Sequence, residues 1–173
     1  MGIYVVRHGE TKLNEEGRMQ GRNGEPLNQK GIKQAENLSR EFANINFDIV
    51  ISSPQMRAIQ TAKIISSKEP IVDERIDVFD LGEADRLKKE EVEMMGGIPN
   101  PQKYKGVETF ENFVSRIKSF MDNVKSKENI EELNILIVGH KCTVGAIDAY
   151  FNGFRDIKES MKNALKNGEY KVY

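Results

Sequence analysis

Residues 3–11 of the chain read IYVVRHGET, so a short apolar strand runs directly into Arg7 and His8. The only other histidine in the sequence, His140, follows a second apolar run and a glycine. In an open α/β sheet the chemistry usually takes place where buried strands end in loops, and both histidines have that position. A cation stands beside each of them, Arg7 in the first case and Lys141 in the second. This pattern indicates an anionic substrate.

Apolar runs alternate with amphipathic stretches along the rest of the chain. We predict strands over 2–6, 47–51, 71–79 and 134–138, and a weak fifth strand at Glu169–Tyr173. We also predict four helices. The first has an apolar face formed by Ile32, Ala35, Leu38 and Phe42, and the second begins with Ser53 as N-cap and Pro54 as first residue. The other two span 108–125 and 142–152. This alternation predicts one three-layer αβα domain over residues 1–173, with a mostly parallel central sheet.

Composition excludes several classes of protein. The 173 residues carry a net charge of only −1, so no electrostatic footprint of nucleic-acid binding is present. No apolar run approaches membrane-spanning length, and the N-terminal strand is too short for the core of a signal peptide. One cysteine, Cys142, excludes an intramolecular disulfide and indicates a cytoplasmic protein. The oligomeric state stays open, with a homodimer as one alternative.

Four residues are expected to form a phosphate pocket. A neutral imidazole is a competent nucleophile toward phosphorus when its free nitrogen points at the substrate and an acceptor holds the other ring N–H. His8, in a strand-to-loop transition next to a glycine, suits that demand. Arg7 and Arg57 supply planar donors for phosphoryl oxygens, and Arg57 lies near a predicted helix N-terminus that favours an anion. His140 would be a second clamp on the same group.

Beyond these four residues, the chain resembles the histidine phosphatase superfamily, the phosphoglycerate-mutase-like phosphatases. The matching blocks occur in the family's order: RHGETKLN at 7–14, RMQG at 18–21, PLNQKGIKQA at 26–35, SPQMRAIQTA at 53–62, GVET at 106–109 and VGH at 138–140.

The resemblance implies a role for each residue of the pocket. His8 would be the residue phosphorylated during turnover, while Arg7, Arg57 and His140 hold the phosphoryl group and Asn14 adds a polar contact. No metal and no cofactor is implied. Gln20, Gly21 and Lys141 complete the candidate substrate-binding residues. Lys141 stands where the family usually has glycine, and it either adds charge over a second anionic group or points to solvent.

The sequence departs from the family at the proton donor. The family has a glutamate in the strand after the arginine helix, and alignment on Gly82 places Val78 at that position. Strand alternation places Asp80 on the face that would have carried the glutamate, so Asp80 is the first candidate for the acid. Glu83, just past the strand, is the second candidate, and Asp77 would need a one-residue slip or bulge. The remaining interpretation is that the acid is absent.

These observations predict a metal-independent phosphomonoesterase that moves the phosphoryl group of a small phosphate ester to His8 and then to water. A phosphoglycerate-mutase-type phosphotransferase would use the same residues, but it needs long covering loops and the segment 82–106 is short. A phosphoprotein phosphatase is a further alternative, because such a leaving group needs less acid assistance. From a different class, a non-catalytic phosphate-binding module would explain Val78 as a mark of lost turnover.

Overall fold

The computed structural model of the protein describes residues 1–153, 159, 161 and 164–173. The strands are β1 (Gly2–Arg7), β2 (Ile49–Ser52), β3 (Ile71–Val72), β4 (Met94–Met95), β5 (Ile98–Pro99), β6 (Asn134–Gly139) and β7 (Tyr170–Val172). The helices are α1 (Lys12–Glu15), α2 (Gln29–Glu41), α3 (Met56–Ser66), α4 (Phe110–Lys125) and α5 (Lys141–Asn152).

A five-stranded sheet with the order β3-β2-β6-β1-β7 forms the centre of the molecule. The pairs β2–β3, β2–β6 and β1–β6 are parallel, and only β7 runs antiparallel to its neighbour β1. Strands β4 and β5 make a separate antiparallel hairpin. The predicted α/β class with a mostly parallel sheet is therefore confirmed, and the weak C-terminal strand is real.

Strand β6 shows how the sheet is covered on both faces. Its side chains alternate between two hydrophobic clusters: Ile135 and Ile137 pack with residues of α4 and α5, and Leu136 and Val138 pack with residues of α2 and α3. All four are fully buried. This is the alternation that a strand between two helical layers requires. The three-layer arrangement follows from it.

The strand predicted over 71–79 is only two residues long. Asp73 ends it by accepting a hydrogen bond from the backbone N–H of Arg75, and residues 74–76 form a 3₁₀ turn. Arg116 of α4 then donates to the carbonyl oxygens of Arg75, Asp77 and Val78 at 2.7–3.0 Å. Because a guanidinium satisfies these carbonyls, the segment needs no neighbouring strand.

The predicted helix start at Ser53 and Pro54 is also wrong. Helix α3 begins at Met56, and Gln55 occupies the N-cap position without a side-chain hydrogen bond to the helix. The Ser53 hydroxyl accepts from His140 and from the backbone N–H of Gln55, and it donates to Asp77. The other helices begin within a few residues of the prediction, with Thr109 capping α4. In the described part of the chain, no helix is long and apolar enough to cross a bilayer.

Candidate active site

The two histidines meet because their strands are neighbours. β1 pairs with β6 in parallel so that Arg7 lies opposite Gly139, and the next residues along are His8 and His140. The backbone N–H of His8 donates to the carbonyl of Gly139 at 3.0 Å, which extends the ladder by one bond. The two imidazole rings lie edge to face with their centroids 5.1 Å apart. The structure therefore brings together the two histidines that were expected to share a pocket.

Arg57 lies between the two histidines and fixes the tautomers of both. Its Nε donates to His8 Nε2 at 3.3 Å, and its Nη2 contacts His140 Nδ1 at 3.2 Å. Since a guanidinium only donates, both of these ring nitrogens accept. The proton of His8 therefore resides on Nδ1, which donates to the carbonyl of Gly9 at 2.7 Å. His8 Nε2 carries the lone pair, which accepts from Arg57.

Both imidazoles are neutral. Burial lowers the pKa of His8 well below 6.5, and the positive charges of Arg57 and Arg7 lower it further. Burial is also the largest cause of the lowered pKa of His140, followed by Arg57. Desolvation lowers the pKa of Arg57 to about 10, so this residue stays cationic at neutral pH. The site thus combines two imidazoles of lowered pKa with a buried cation.

The loop that carries His8 is held by direct backbone contact with α2. A Cβ on Gly9 would lie 2.5 Å from the carbonyl oxygen of Gly31, and a Cβ on Gly31 would lie 2.1 Å from that of Glu10. Gly9 is therefore required for close approach, whereas its φ angle is not in the left-handed region. The Gly9 N–H donates to Thr61 Oγ1, and Asn167 donates to the carbonyl of His8 at 3.0 Å. These contacts restrict the position of the imidazole.

The loop 20–24 also contacts Arg57, in addition to the two histidines. The Gly21 carbonyl accepts a hydrogen bond from Arg57 Nη2 at 3.0 Å. A Cβ on Gly24 would lie 1.9 Å from Arg57 Nη1, so only glycine fits there without displacing the guanidinium. The Gly21 N–H donates to Asp85 at 2.7 Å. Gly21, a predicted substrate contact, thus holds Arg57 through its carbonyl while its N–H is already bound.

Two donors at this site have no acceptor. Among the residues that the structure describes, Arg7 Nε and Gln20 Nε2 are the buried side-chain nitrogen or oxygen atoms that lack a hydrogen-bond partner. Other atoms of the same side chains are bound: Arg7 Nη1 donates to the carbonyl of Leu165, and Gln20 Oε1 accepts from Thr11. A buried donor without an acceptor costs free energy. An anion bound beside either group would supply the missing acceptor.

His140 is connected to a buried carboxylate through a hydroxyl group. Because its Nδ1 accepts from Arg57, its Nε2 carries the proton and donates to Ser53 Oγ at 2.7 Å. Ser53 Oγ in turn donates to Asp77 Oδ1 at 3.3 Å. Asp77 also accepts from Gln55 at 2.9 Å and from the backbone N–H of Val78 at 2.7 Å. Asp77, the third candidate for the acid, thus supports the second histidine.

The other two acid candidates occupy different surroundings. Asp80 accepts from the N–H of Gly82 and forms an ion pair with Arg22, which also contacts Asp77. Glu83 accepts from the backbone N–H of Lys105 at 3.1 Å, a contact with the loop that precedes α4. The register argument for Asp80 no longer applies, because the segment is not a strand. Asp80 nevertheless shares Arg22 with the buried Asp77, and this link connects it to the pocket.

Asn14 and Lys141 have different surroundings from the four central residues. The Asn14 side chain completes a capping box with Thr11 and accepts from Asn167 at 3.2 Å, so its carbonyl oxygen is fully used. Lys141 is exposed, as the first residue of α5. Partial desolvation lowers the pKa of Lys141, and repulsion from Arg7 adds to this effect. Lys141 therefore lies close to the pocket without being enclosed in it.

Sequence reasoning missed three polar residues of this site: Ser53, Arg22 and Asn167. Ser53 was assigned to a helix cap, although it belongs to the same ten-residue block as Arg57. Arg22 directly follows Gly21, which was a candidate. Asn167 reaches the His8 loop from a segment 159 residues away, and no pattern in the sequence indicates that contact.

The fold and site together define the protein as an α/β protein with two facing histidines and a buried arginine at the carboxyl ends of its parallel strands. A family model described as histidine phosphatase superfamily, branch 1, matches residues 3–171. The chain belongs to that superfamily and is one of its phosphatases, with the phosphoglycerate-mutase-like architecture. The predicted family, fold and enzyme class are confirmed.

Individual relatives carry more specific names. The chain is 36% identical over 162 residues to a protein of Hydrogenobacter thermophilus provisionally named phosphoserine phosphatase 2, covering 87% of this chain and 78% of that one. It is 27% identical over 164 residues to the adenosylcobalamin/alpha-ribazole phosphatase of Escherichia coli, covering 88% and 80%. The crystal structure of the alpha-ribazole phosphatase from Shigella flexneri superposes with a TM-score of 0.82 at 25% identity, covering 99% of this chain and 89% of that one.

Proposed function

We propose that the protein is a metal-independent phosphomonoesterase that acts through a phosphohistidine on His8. The observation that carries this proposal is the neutral imidazole of His8, whose Nε2 accepts from Arg57 while its Nδ1 is held by the Gly9 carbonyl. The 3.3 Å contact from Arg57 is long, so a phosphoryl oxygen replaces it readily. The freed lone pair then attacks phosphorus, and the ester oxygen leaves.

The cations and donors around His8 stabilise the transferring group. Charge in such a transition state spreads over three equatorial oxygens, and fixed donors directed at them provide most of the rate enhancement. Arg57 lies between the two histidines, and the unbound donors of Arg7 and Gln20 complete the set. His140, backed by Ser53 and Asp77, gains a proton more easily once a phosphate dianion lies beside it.

We propose Asp80 as the proton donor to the leaving oxygen, with Asp77 as the alternative. Asp80 is more exposed than Asp77 and accepts fewer hydrogen bonds, so it exchanges protons with solvent more easily. Asp80→Asn should then slow alkyl phosphates by roughly 10²–10⁴-fold. p-Nitrophenyl phosphate should be affected far less, because its phenolate leaves without protonation. Glu83→Gln is the matched control and should be mild toward both substrates.

The proposed substrate is a small phosphate ester with a second anionic group, and phosphoserine is the first compound to test. Lys89 and Lys141 lie near Arg7. Burial is the largest cause of the lowered pKa of both lysines, and repulsion from Arg7 is the second. Three neighbouring cations favour a ligand with more negative charge than one phosphate. Two relatives are named for phosphoserine and for alpha-ribazole. Of these two compounds, only phosphoserine carries a carboxylate in addition to its phosphate.

The test is a screen of phosphate esters with wild-type protein and His8→Ala in parallel. The set contains phosphoserine, alpha-ribazole phosphate, a phosphoprotein peptide and p-nitrophenyl phosphate. Substrate carrying ³²P should label the wild type in an acid-labile, base-stable form, and His8→Ala should show neither label nor turnover. Hydrolysis by His8→Ala above a trace of the wild-type rate would overturn the proposed nucleophile. Release of a phosphorylated isomer in place of orthophosphate would favour the phosphotransferase. Whether two copies of the chain associate stays a prediction.

A further inference from the structure

Arg22 lies between the two carboxylates nearest to the pocket. Its Nε is 3.3 Å from Asp77 Oδ2, and its Nη1 is 3.3 Å from Asp80 Oδ2. The Arg22 side chain is 47% exposed, whereas the carboxylates are 8% and 35% exposed. A guanidinium this exposed gains little from each ion pair. Arg22 can therefore exchange these partners for another anion at small cost.

The backbone around Arg22 is fixed, so its side chain is the part that is able to move. The N–H groups of Gly21 and Asn23, on either side of Arg22, donate to the two oxygens of the Asp85 carboxylate at 2.7 and 2.9 Å. Arg86 donates to the carbonyl of Asn23 and strengthens the same turn. Arg22 thus projects from an anchored turn, and rotation about its side-chain bonds changes its partner without moving the loop.

Arg22 also adjoins the phosphate-holding residues on two sides. The residue before it, Gly21, accepts from Arg57 through its carbonyl. Its ion-pair partner Asp77 accepts from Ser53, which is bound to His140. Arg22 is therefore connected to Arg57 through its neighbour Gly21 and to His140 through Asp77 and Ser53.

We propose that Arg22 leaves Asp77 and Asp80 to bind the carboxylate of the substrate. This inference rests on the proposed phosphomonoesterase activity. Arg22 is then the specificity-determining residue. A phosphate ester without a carboxylate leaves Arg22 on the two aspartates.

The two aspartates keep other partners when Arg22 leaves. Asp77 still accepts from Ser53, Gln55 and the N–H of Val78. Asp80 keeps the N–H of Gly82, and its side chain is 35% exposed to water. The other charged groups at this position are Glu108, which accepts from the N–H of Asp80, and its partner Arg116.

The proposed hydrolysis proceeds in two half-reactions, phosphoryl transfer to His8 and then to water. In the first, the bond from His8 Nε2 to phosphorus forms, the bond from phosphorus to the ester oxygen breaks, and that oxygen takes the proton of Asp80. In the second, water attacks the phosphorus, the bond from Nε2 to phosphorus breaks, and Asp80 takes a proton from the water. Orthophosphate leaves, and Asp80 is again a carboxylic acid.

The first test compares phosphoserine with phosphoethanolamine, which has the same leaving carbon but no carboxylate. Arg22→Ala should lower kcat/KM for phosphoserine by roughly 10- to 100-fold, the usual effect of losing a charge-assisted hydrogen bond. The value for phosphoethanolamine should change less than about threefold, since that substrate does not use the contact. Arg22→Lys should restore part of the loss. Arg40→Ala, on the exposed surface of α2, is the control with the same change in net charge.

The second test is the division of the effect between KM and kcat, which a merely structural role would not produce. Because Arg22 contacts a part of the substrate away from the reacting phosphorus, Arg22→Ala should raise KM for phosphoserine far more than it lowers kcat.

These outcomes separate the two proposals. If the wild type hydrolyses neither phosphoserine nor p-nitrophenyl phosphate, the proposed function fails. If it hydrolyses p-nitrophenyl phosphate through His8 but does not distinguish phosphoserine from phosphoethanolamine, the role of Arg22 is wrong while the function stands. The role is equally wrong if Arg22→Ala keeps the discrimination, or if Lys141→Ala removes it and Arg22→Ala does not.

Discussion

Replacing Ser53 by alanine removes the only atom that connects His140 to Asp77 in the described structure. The Ser53 hydroxyl accepts from His140 Nε2 at 2.7 Å and donates to Asp77 at 3.3 Å. Ser53 is fully buried and His140 is 2% exposed, so water does not replace the hydroxyl easily. Asp77 keeps its bonds from Gln55 and Val78. The substitution therefore acts mainly on His140, which loses an acceptor at 2.7 Å, and the backbone N–H of Gln55 loses a longer contact at 3.3 Å.

The cost can be worked out from this geometry. A buried donor left without its acceptor costs about 1–3 kcal/mol, and about 1.4 kcal/mol corresponds to a factor of ten in rate. If the bond holds His140 against the phosphoryl group, kcat/KM should fall roughly 10- to 100-fold. The melting temperature should fall by roughly 2–12 °C, at about 2–4 °C per kcal/mol for a chain of this size.

The assay is hydrolysis of p-nitrophenyl phosphate, together with thermal unfolding of each variant. Ser66→Ala is the control, since the Ser66 hydroxyl donates to the carbonyl of Ala62 within α3, away from the histidines. Ser53→Thr keeps a hydroxyl and should retain more activity than Ser53→Ala. If Ser53→Ala stays within twofold of the wild-type kcat/KM while its melting temperature falls, the hydroxyl is structural and the reasoning about His140 is wrong.

Three further results are expected. Gly24→Ala should reduce kcat/KM at least tenfold, because the added Cβ would lie 1.9 Å from Arg57 Nη1 and would displace the guanidinium. Circular dichroism should show little loss of secondary structure. Unchanged activity would show that the guanidinium can move without cost. The unfolding free energy from urea titrations should fall as pH drops below 6.5, by at most about 1.4 kcal/mol per pH unit for each of His8 and His140. The reason is that the unfolded chain then binds protons at these two histidines, whereas the lowered pKa values keep them unprotonated in the native protein. A flat profile would contradict the lowered pKa values. Activity should persist in excess chelator, since the described residues include no group of three His, Cys, Asp or Glu side chains placed to hold a metal ion; loss that Mg²⁺ or Zn²⁺ restores would refute the metal-free mechanism.

The central pair of histidines could be predicted because it depends on local patterns. An apolar run before each histidine predicts a buried strand, and parallel strands bring their carboxyl ends to one edge of a sheet. The structure pairs β1 with β6, and His8 and His140 follow directly. Arg57 could be predicted for a related reason, since its helix begins just after the end of β2, the other neighbour of β6.

The supporting contacts could not be predicted, because they join residues that no periodicity relates. Ser53 and Asp77 are 24 residues apart, and Asn167 donates to the carbonyl of His8 across 159 residues. The prediction for 71–79 failed for the same reason. Its composition suits a strand, but Arg116, about forty residues later, takes the carbonyls that a neighbouring strand would have bound. Tertiary hydrogen bonding overrode the local preference.

Two independent anchors build the site on either side of Val78. His8 and Arg57 are fixed by strand ends, by α3 and by the loop 20–24. The segment that contains Val78 is fixed by Arg116, which is held by Glu108 at 2.8 Å and binds backbone carbonyls, including that of Val78. Because this anchor binds backbone atoms, the segment keeps its position without a carboxylate at position 78, where the buried valine stands. Valine at the position where the resemblance implies a glutamate is therefore compatible with the observed positions of His8 and Arg57, and Asp77 and Asp80 lie on the same anchored segment.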